Sequence, residues 1–223
     1  MLLGTPTFPT FAFRGATEAE GAQASTATIS APSGTVAGDF QLIYAWQDTD
    51  QAPTFTASSG WTKIGQDTFR PALSVWYSTT DTGNTTITGA SASGGAAEDW
   101  NLIRLAFTPN KTINNIEPNV ANFDGSTESY SHQITPPSDG ADYTYIHMWG
   151  VSGRPRDNSS VPSSISKSPS SVNDPILVNN TDSDAVAYYV LHDPRETTLG
   201  TYTYSNINDS GRQSSCGLWI GFS

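Results

Sequence analysis

The 223-residue chain carries 21 acidic and 10 basic residues, a formal net charge of −11, and only 14% of its residues are charged. Nucleic-acid binding needs clustered Lys and Arg, so the scattered basic residues argue against a nucleic-acid partner. No run approaches the ~20 apolar residues of a membrane span, and the single cysteine, Cys216, allows neither an intrachain disulfide nor a thiolate zinc site. Cys216 is expected to be a small buried hydrophobe.

The N-terminal segment, residues 1–10, contains Pro6 and Pro9 and is predicted to be an extended arm. Each proline fixes its own φ and biases the preceding residue away from the helical region. The alternative is that the end of this segment begins the first strand of the fold. Phenylalanines that alternate with small residues could lay apolar groups on a neighbouring surface: Phe8, Phe11 and Phe13.

Short runs rich in Thr, Ile, Val and aromatic residues follow the arm, and they are bounded by Gly, Pro, Ser or Asp. Such runs predict strands. In the first half they cover residues 27–29, 40–46, 62–64, 73–79, 85–88 and 102–107. In the second half they cover residues 130–134, 143–149, 185–191, 201–204 and 217–222. The one weak helix candidate, residues 16–24, is interrupted by glycine, so the chain is predicted to be all-β.

Several of these runs occur twice along the chain. Residues 29–34 and 39–46 match residues 134–138 and 142–149, and further matches join 73–77 to 185–189, 101–107 to 216–222, and 13–17 to 123–127. This repeat predicts an internal duplication that gives two related antiparallel β-sandwich lobes, jelly-roll-like and packed together. The predicted boundaries are an arm at 1–10, lobe one at 11–108, a connector at 109–120 and lobe two at 121–223.

The repeat also predicts core tryptophans, with Trp46 and Trp149 in equivalent strands and Trp76 and Trp219 in the lobes. The lobes differ most at residues 150–184, a tract dominated by Ser, Pro, Asn and Asp that is predicted to be a long exposed loop, with a short strand at 176–178. Apolar residues in this tract are candidate anchors to a neighbouring subunit: Val161, Ile165 and Ile176.

Several motifs follow one another along the chain: an Ile-x-Ala-Pro-Ser-Gly segment from Ile29, a Gly38-Asp39 pair that opens an apolar strand, a Ser-Gly-Trp-Thr segment that contains Trp61, the 73–77 strand, a Thr-rich strand, and a final strand led by Trp100. This order resembles a β-sandwich module of tailed-bacteriophage structural proteins. The second lobe lacks the Gly-Trp element.

The resemblance implies a non-catalytic structural protein on the exterior of the virion, with a capsid decoration or cement protein as the first expectation. The alternative is a tail or fibre component that acts as a carbohydrate- or host-receptor-binding module. The implied partners are the major capsid or tail protein and further copies of the chain, since trimers are common among such proteins. The tail or fibre alternative adds a host surface glycan.

The sequence offers little catalytic chemistry, so neither a catalytic residue nor a cofactor is predicted. Glu98 and Asp99 are adjacent, and adjacent residues of a strand point to opposite faces, so they cannot converge on a glycosidic bond. Calcium is a minor alternative for paired carboxylates in loops, at Asp48 and Asp50 and at Asp182 and Asp184. No metal spacing links His132, His147 and His192. Trp61 has no counterpart in lobe two and is the aromatic predicted to contact a ligand or partner.

Overall fold

The computed structural model describes residues 11–47, 54–67, 72–90, 98–123, 129–134, 142–152, 164–168, 178–180, 187–193, 200–205 and 212–222. Within these ranges the secondary structure consists of strands and turns, without a helix, so the all-β prediction is confirmed. The strands of the first half are β1 (Phe11–Ala24), β2 (Thr26–Ile29), β3 (Phe40–Gln47), β4 (Thr54–Ala57), β5 (Thr62–Asp67), β6 (Ala72–Ser78), β7 (Thr85–Ala90) and β8 (Glu98–Pro109). Those of the second half are β9 (Ile113–Phe123), β10 (Ser129–Ile134), β11 (Asp142–Ser152), β12 (Ser164–Ser168), β13 (Val178–Asn180), β14 (Ala187–Asp193), β15 (Gly200–Ser205) and β16 (Arg212–Phe222).

The strands form four antiparallel sheets whose order repeats along the chain. The first half has a five-stranded sheet, β1-β8-β3-β6-β5, and a three-stranded sheet, β2-β7-β4. The second half has β9-β16-β11-β14-β13 and β10-β15-β12. Each strand of the second half therefore occupies the place of the strand eight positions earlier. A common origin of the two halves stays a prediction that this correspondence favours.

Residue-by-residue pairing corrects the matches that the sequence suggested. Phe40 pairs with Phe107, whereas Asp142 pairs with Phe222, so β3 and β11 correspond one residue out of step with the sequence match. Trp46 therefore corresponds to Met148 and not to Trp149. A shift of one residue exchanges the two faces of a strand. The sequence could not determine which residues of the two strands lie on equivalent faces, because apolar and aromatic residues occupy both faces of the strand.

Two further matches are corrected in the same way. Leu73 pairs with Trp46 and Val190 pairs with Met148, so Leu73 corresponds to Val190 and not to Ala185. Phe13 pairs with Phe107 and Ile113 pairs with Phe222, so the entry to the first half corresponds to β9 and not to residues 123–127.

Most of strand β9 lies within residues 109–120, which the sequence assigned to a connector. It pairs along its length with β16 and forms an edge of the second five-stranded sheet. Pro118 lies in this strand, which is compatible with an edge position because proline cannot donate to a neighbouring strand. The sequence also missed β4 and β12. For β1 it offered a first strand that begins at the end of the N-terminal segment, and a weak helix candidate at residues 16–24.

In the part of the chain that the structure describes, two apolar clusters lie between sheets. The larger joins the two five-stranded sheets face to face, with residues from both halves: Phe40, Leu42, Tyr44, Trp46, Leu73, Val75, Ile103, Leu105, Phe107, Ile146, Cys216, Leu218, Ile220 and Phe222. The other lies between the first five-stranded sheet and β2-β7-β4, and it includes Ile43, Phe55, Trp76, Ile87 and Trp100. Because both faces of the first sheet are covered, all eight residues of β3 are buried.

The burial of the predicted core residues follows from this layering. Trp46, Trp76 and Trp219 are buried, as predicted, and so is Cys216. Trp46 packs between the two halves, whereas Trp76 packs within the first half. The side chain of Trp149 lies outside the described part of the structure, although its backbone pairs with Ser215 and Tyr189.

Tyr44 provides a test of the larger cluster. Its hydroxyl is buried and finds no hydrogen-bond partner among the described residues, and burial raises the pKa of Tyr44 well above its usual value. A buried polar group without a partner costs about 1–3 kcal/mol. Tyr44→Phe is therefore expected to leave the free energy of unfolding unchanged or to raise it by about 1 kcal/mol in urea denaturation. Tyr44→Ala, which also removes the ring, is the control and is expected to lose about 3–5 kcal/mol. A large loss in Tyr44→Phe would show that the hydroxyl has a partner.

Candidate functional site

A groove of about 510 Å³ lies between the edge strands of the two five-stranded sheets. Half one contributes β5, β6 and the residues beside them, and half two contributes the beginning of β9. We call this feature the inter-sheet groove, and its lining residues are Phe40, Thr62, Ile64, Tyr77, Thr79, Ile113, Asn114, Asn115 and Ile116. Its lining combines apolar side chains with neutral hydroxyls and amides, and no lining residue is charged.

A β-bulge lies on each wall of the inter-sheet groove. In β5 the register against β6 shifts between Lys63 and Gly65, which leaves Ile64 as the extra residue. In β9 the register against β16 shifts between Ile113 and Asn115, which leaves Asn114 as the extra residue. Bulges re-aim side chains and are common at sheet edges and next to binding sites. Both extra residues line the groove.

The bulge in β9 has an equivalent in β1 of the first half, and that bulge has a different role. Arg14 is the extra residue in β1, between Phe13 and Gly15. Its guanidinium forms a two-point contact with the carboxylate of Asp39, with Nε 2.7 Å from Oδ2 and Nη2 3.2 Å from Oδ1. The Thr108 hydroxyl and the Val36 N–H also donate to Asp39. Here the bulge anchors the turn before β3, whereas no carboxylate partner of Asn114 is found among the described residues.

A second polar cluster surrounds Arg104, whose side chain is fully buried. Nε and Nη2 donate to Oε1 of Gln41, and Nη1 donates to the Gly83 carbonyl at 2.6 Å and to the Thr85 hydroxyl at 3.0 Å. Nη2 also donates to the Asp81 carbonyl and lies 3.7 Å from its carboxylate. Every guanidinium N–H therefore has a partner, and the cluster fixes the turn between β6 and β7.

Trp61 belongs to this cluster. Its indole Nε1 donates to Oδ2 of Asp81 at 2.6 Å, and the Arg104 guanidinium lies 5.0 Å from the centre of its ring. The ring is half-buried. Trp61 therefore holds two loops together, and it does not line the inter-sheet groove. Its predicted contact with a ligand or partner stays a prediction.

The carboxylates of both clusters are held in their charged form. Burial alone would raise the pKa of Asp39, but hydrogen bonds from Val36, Thr108 and Arg14, together with the charge of Arg14, outweigh burial and leave the pKa below its usual value. For Asp81, burial is likewise outweighed by hydrogen bonds from Gly83, Trp61 and Thr85 and by the charge of Arg104, so its pKa is also lowered. Groups with these fixed partners are suited to structure rather than to proton transfer.

These lowered pKa values predict a loss of stability in acid. The folded protein binds fewer protons at Asp39 and Asp81 than the unfolded chain, so their contribution is fully present above the unfolded pKa of about 3.9 and is lost as pH falls through the folded values. The free energy of unfolding is expected to fall below about pH 4 in urea denaturation series. Asp39→Asn is expected to be less stable at neutral pH and to show a shallower acid limb, by up to about 1.4 kcal/mol per pH unit. Equal slopes in both proteins would contradict this assignment.

The other residues that the sequence singled out are spread over the fold. Phe13 is 36% exposed and contacts Phe107, with ring centres 5.6 Å apart. Phe11 begins β1, and Ile165 pairs with Tyr204 in the second three-stranded sheet. Phe8, Val161 and Ile176 lie outside the described residues, as do the aspartates considered for calcium: Asp48, Asp50, Asp182 and Asp184.

The candidate catalytic and metal residues lie on several strands. Glu98 and Asp99 begin β8. His147 is buried and stacks on Tyr145, while His132 and His192 lie in β10 and β14. Within the described part of the chain, no three His, Cys, Asp or Glu side chains are grouped as metal ligands would be, and no helix is long and apolar enough to cross a membrane.

Comparison with known proteins identifies no relative. No protein-family model, no curated protein and no solved structure matches the chain.

Proposed function

We propose that this protein is a non-catalytic structural protein on the exterior of a tailed-phage virion, where it decorates or cements the capsid. The observation that supports the proposal is that the two polar clusters described above have a structural role. Asp39, which is buried, and Asp81, which is partly buried, have lowered pKa values, and each is fixed by an arginine and by hydrogen bonds that anchor turns. The sheets between those turns pack in layers, which suits a rigid building block.

The attachment to neighbouring subunits is proposed to involve the arm, residues 1–10, and the tract 150–184. The arm precedes β1 in the sequence, and β1 is an edge strand that carries the exposed ring of Phe13. An open edge strand and an exposed aromatic are features that neighbouring subunits cover in assemblies. The partners would be the major capsid or tail protein and further copies of this chain, for instance in a trimer.

Incorporation into particles tests this proposal. Mass spectrometry of purified virions is expected to detect the protein, and a chain without residues 1–10 is expected to be incorporated less while it keeps the melting temperature of the full chain. Undiminished incorporation of the truncated chain would place the attachment surface elsewhere. Absence of the full chain from virions would overturn the proposal as a whole.

A tail or fibre component that binds carbohydrate is the second candidate. The observation that favours it is the inter-sheet groove, whose apolar lining and neutral polar groups are features of small-ligand sites. In both cases the purified protein is expected to lack hydrolytic activity. Turnover of host polysaccharide that is abolished by Glu98→Gln or Asp99→Asn would contradict that expectation.

A further inference from the structure

We propose that the inter-sheet groove is a binding site for a short neutral oligosaccharide. This assignment rests on the second candidate function and gives it a location and a ligand class. The groove volume of about 510 Å³ falls within the range of small-ligand sites, roughly 300–1,000 Å³.

The lining has the chemistry that recognises a sugar ring. Tyr77 is half-buried and stacks on the buried ring of Phe40, with centres 5.8 Å apart and planes 19° apart, so it is a rigid aromatic surface. An aromatic ring can pack against the apolar face of a sugar. Exposed Thr62, Thr79 and Asn114 add hydroxyls and an amide, which both donate and accept hydrogen bonds, as sugar hydroxyls require.

Charge selects a neutral ligand over an anionic one. The lining residues carry no charge, and the chain as a whole has a formal net charge of −11. The nearest carboxylate along β9, that of Glu117, accepts a hydrogen bond from Asn115 Nδ2 at 2.6 Å and so adds negative charge beside the groove. An acidic sugar would meet repulsion without a cation in the lining to offset it.

The walls are built to hold these groups in place. Ile64 and Asn114 are the extra residues of two β-bulges on facing edge strands, and each turns toward the groove from a strand that is hydrogen-bonded on its other side. Sites on strands are positioned more precisely than sites on loops. The second half keeps this bulge but replaces the Arg14–Asp39 ion pair of the first half with an asparagine that faces a cavity.

Saturation-transfer NMR with maltotriose, cellotriose and chitotriose, and with sialyllactose as the anionic comparison, tests the proposal on the full chain. At least one neutral trisaccharide is expected to bind, and sialyllactose is expected to bind at least threefold more weakly than it. Tyr77→Ala is expected to weaken binding about tenfold, the loss typical of a central aromatic contact. Tyr77→Phe keeps the ring and should retain most of the affinity, and Asn114→Ala should weaken binding about threefold.

Phe13→Ala, which removes an exposed aromatic outside the groove, is the matched control and should bind like the unaltered protein, with melting temperatures measured for every variant. The proposal is overturned if no neutral trisaccharide binds, or if Tyr77→Ala and Asn114→Ala both bind like the unaltered protein. It is also overturned if binding occurs only after deletion of residues 1–10, because the groove would then hold the arm. Incorporation into virions is measured separately, so failure of sugar binding leaves the structural role intact.

Discussion

Replacing Arg104 with methionine is expected to lower the free energy of unfolding by about 3–5 kcal/mol, the loss typical of breaking a buried ion pair from one side. The guanidinium is fully buried and satisfies acceptors on Gln41, Asp81, Gly83 and Thr85. Without it, these groups remain in the interior without a cation, and the turn between β6 and β7 loses its anchor. Urea denaturation monitored by tryptophan fluorescence measures the effect.

Two further variants distinguish the ion pair from simple packing. The double variant Arg104→Met, Asp81→Asn removes both charges. Its loss in free energy of unfolding is expected to be smaller than the sum of the losses in the two single variants. Arg14→Met is the comparison at the other arginine, whose side chain is 30% exposed, and should cost less than Arg104→Met because water can reach the site. Equal losses in the two arginine variants would contradict the role of burial.

The contacts within the Arg104 cluster could not be predicted from the sequence. Trp61 looked like a free aromatic because it follows a glycine in a loop, yet its partners Asp81 and Arg104 are 20 and 43 positions away along the chain. One signal was present: Arg104 interrupts an apolar run in the middle of a predicted strand. A charge in such a position must find partners when the strand is buried.

The strands themselves were largely predictable, because turn residues bound them and β-branched or aromatic residues fill them. Their register was not. Strand β3 is buried on both faces, so Ile43 and Ala45 carry no polar signal that would separate them from Leu42 and Tyr44. A match that slipped by one residue between β3 and β11 therefore looked as good as the correct one.

The inter-sheet groove could not be predicted from the sequence. Its walls come from β5, β6 and β9, which are separated along the chain, and its shape depends on bulges at Ile64 and Asn114. A bulge adds one residue without a distinctive composition. Strand β9 was also hidden, because its apolar residues, among them Ile116 and Val120, are interspersed with Asn, Glu and Pro.

Trp46→Ala is expected to lower the free energy of unfolding by about 3–5 kcal/mol, the usual loss for a large buried aromatic. Trp46 is fully buried in the cluster that joins the two five-stranded sheets, and Cys216, from the other half, belongs to the same cluster. Because the cluster is shared, we expect the loss to be felt in both halves. Trp76→Ala, on the opposite face of the first sheet, is the comparison for a loss within one half.

The Cys216 thiol reports on the second half in the same experiment. It is buried, and burial raises its pKa to about 12, so alkylation at neutral pH requires the cluster to open. If the two halves unfold as one unit, Trp46→Ala should raise the alkylation rate by roughly 10²–10³-fold, because each 1.4 kcal/mol of lost stability multiplies the open population by about ten. A destabilised Trp46→Ala protein whose thiol remains as protected as in the unaltered chain would show that the halves open separately. The shared cluster would then be a contact between two independent units rather than the core of one fold.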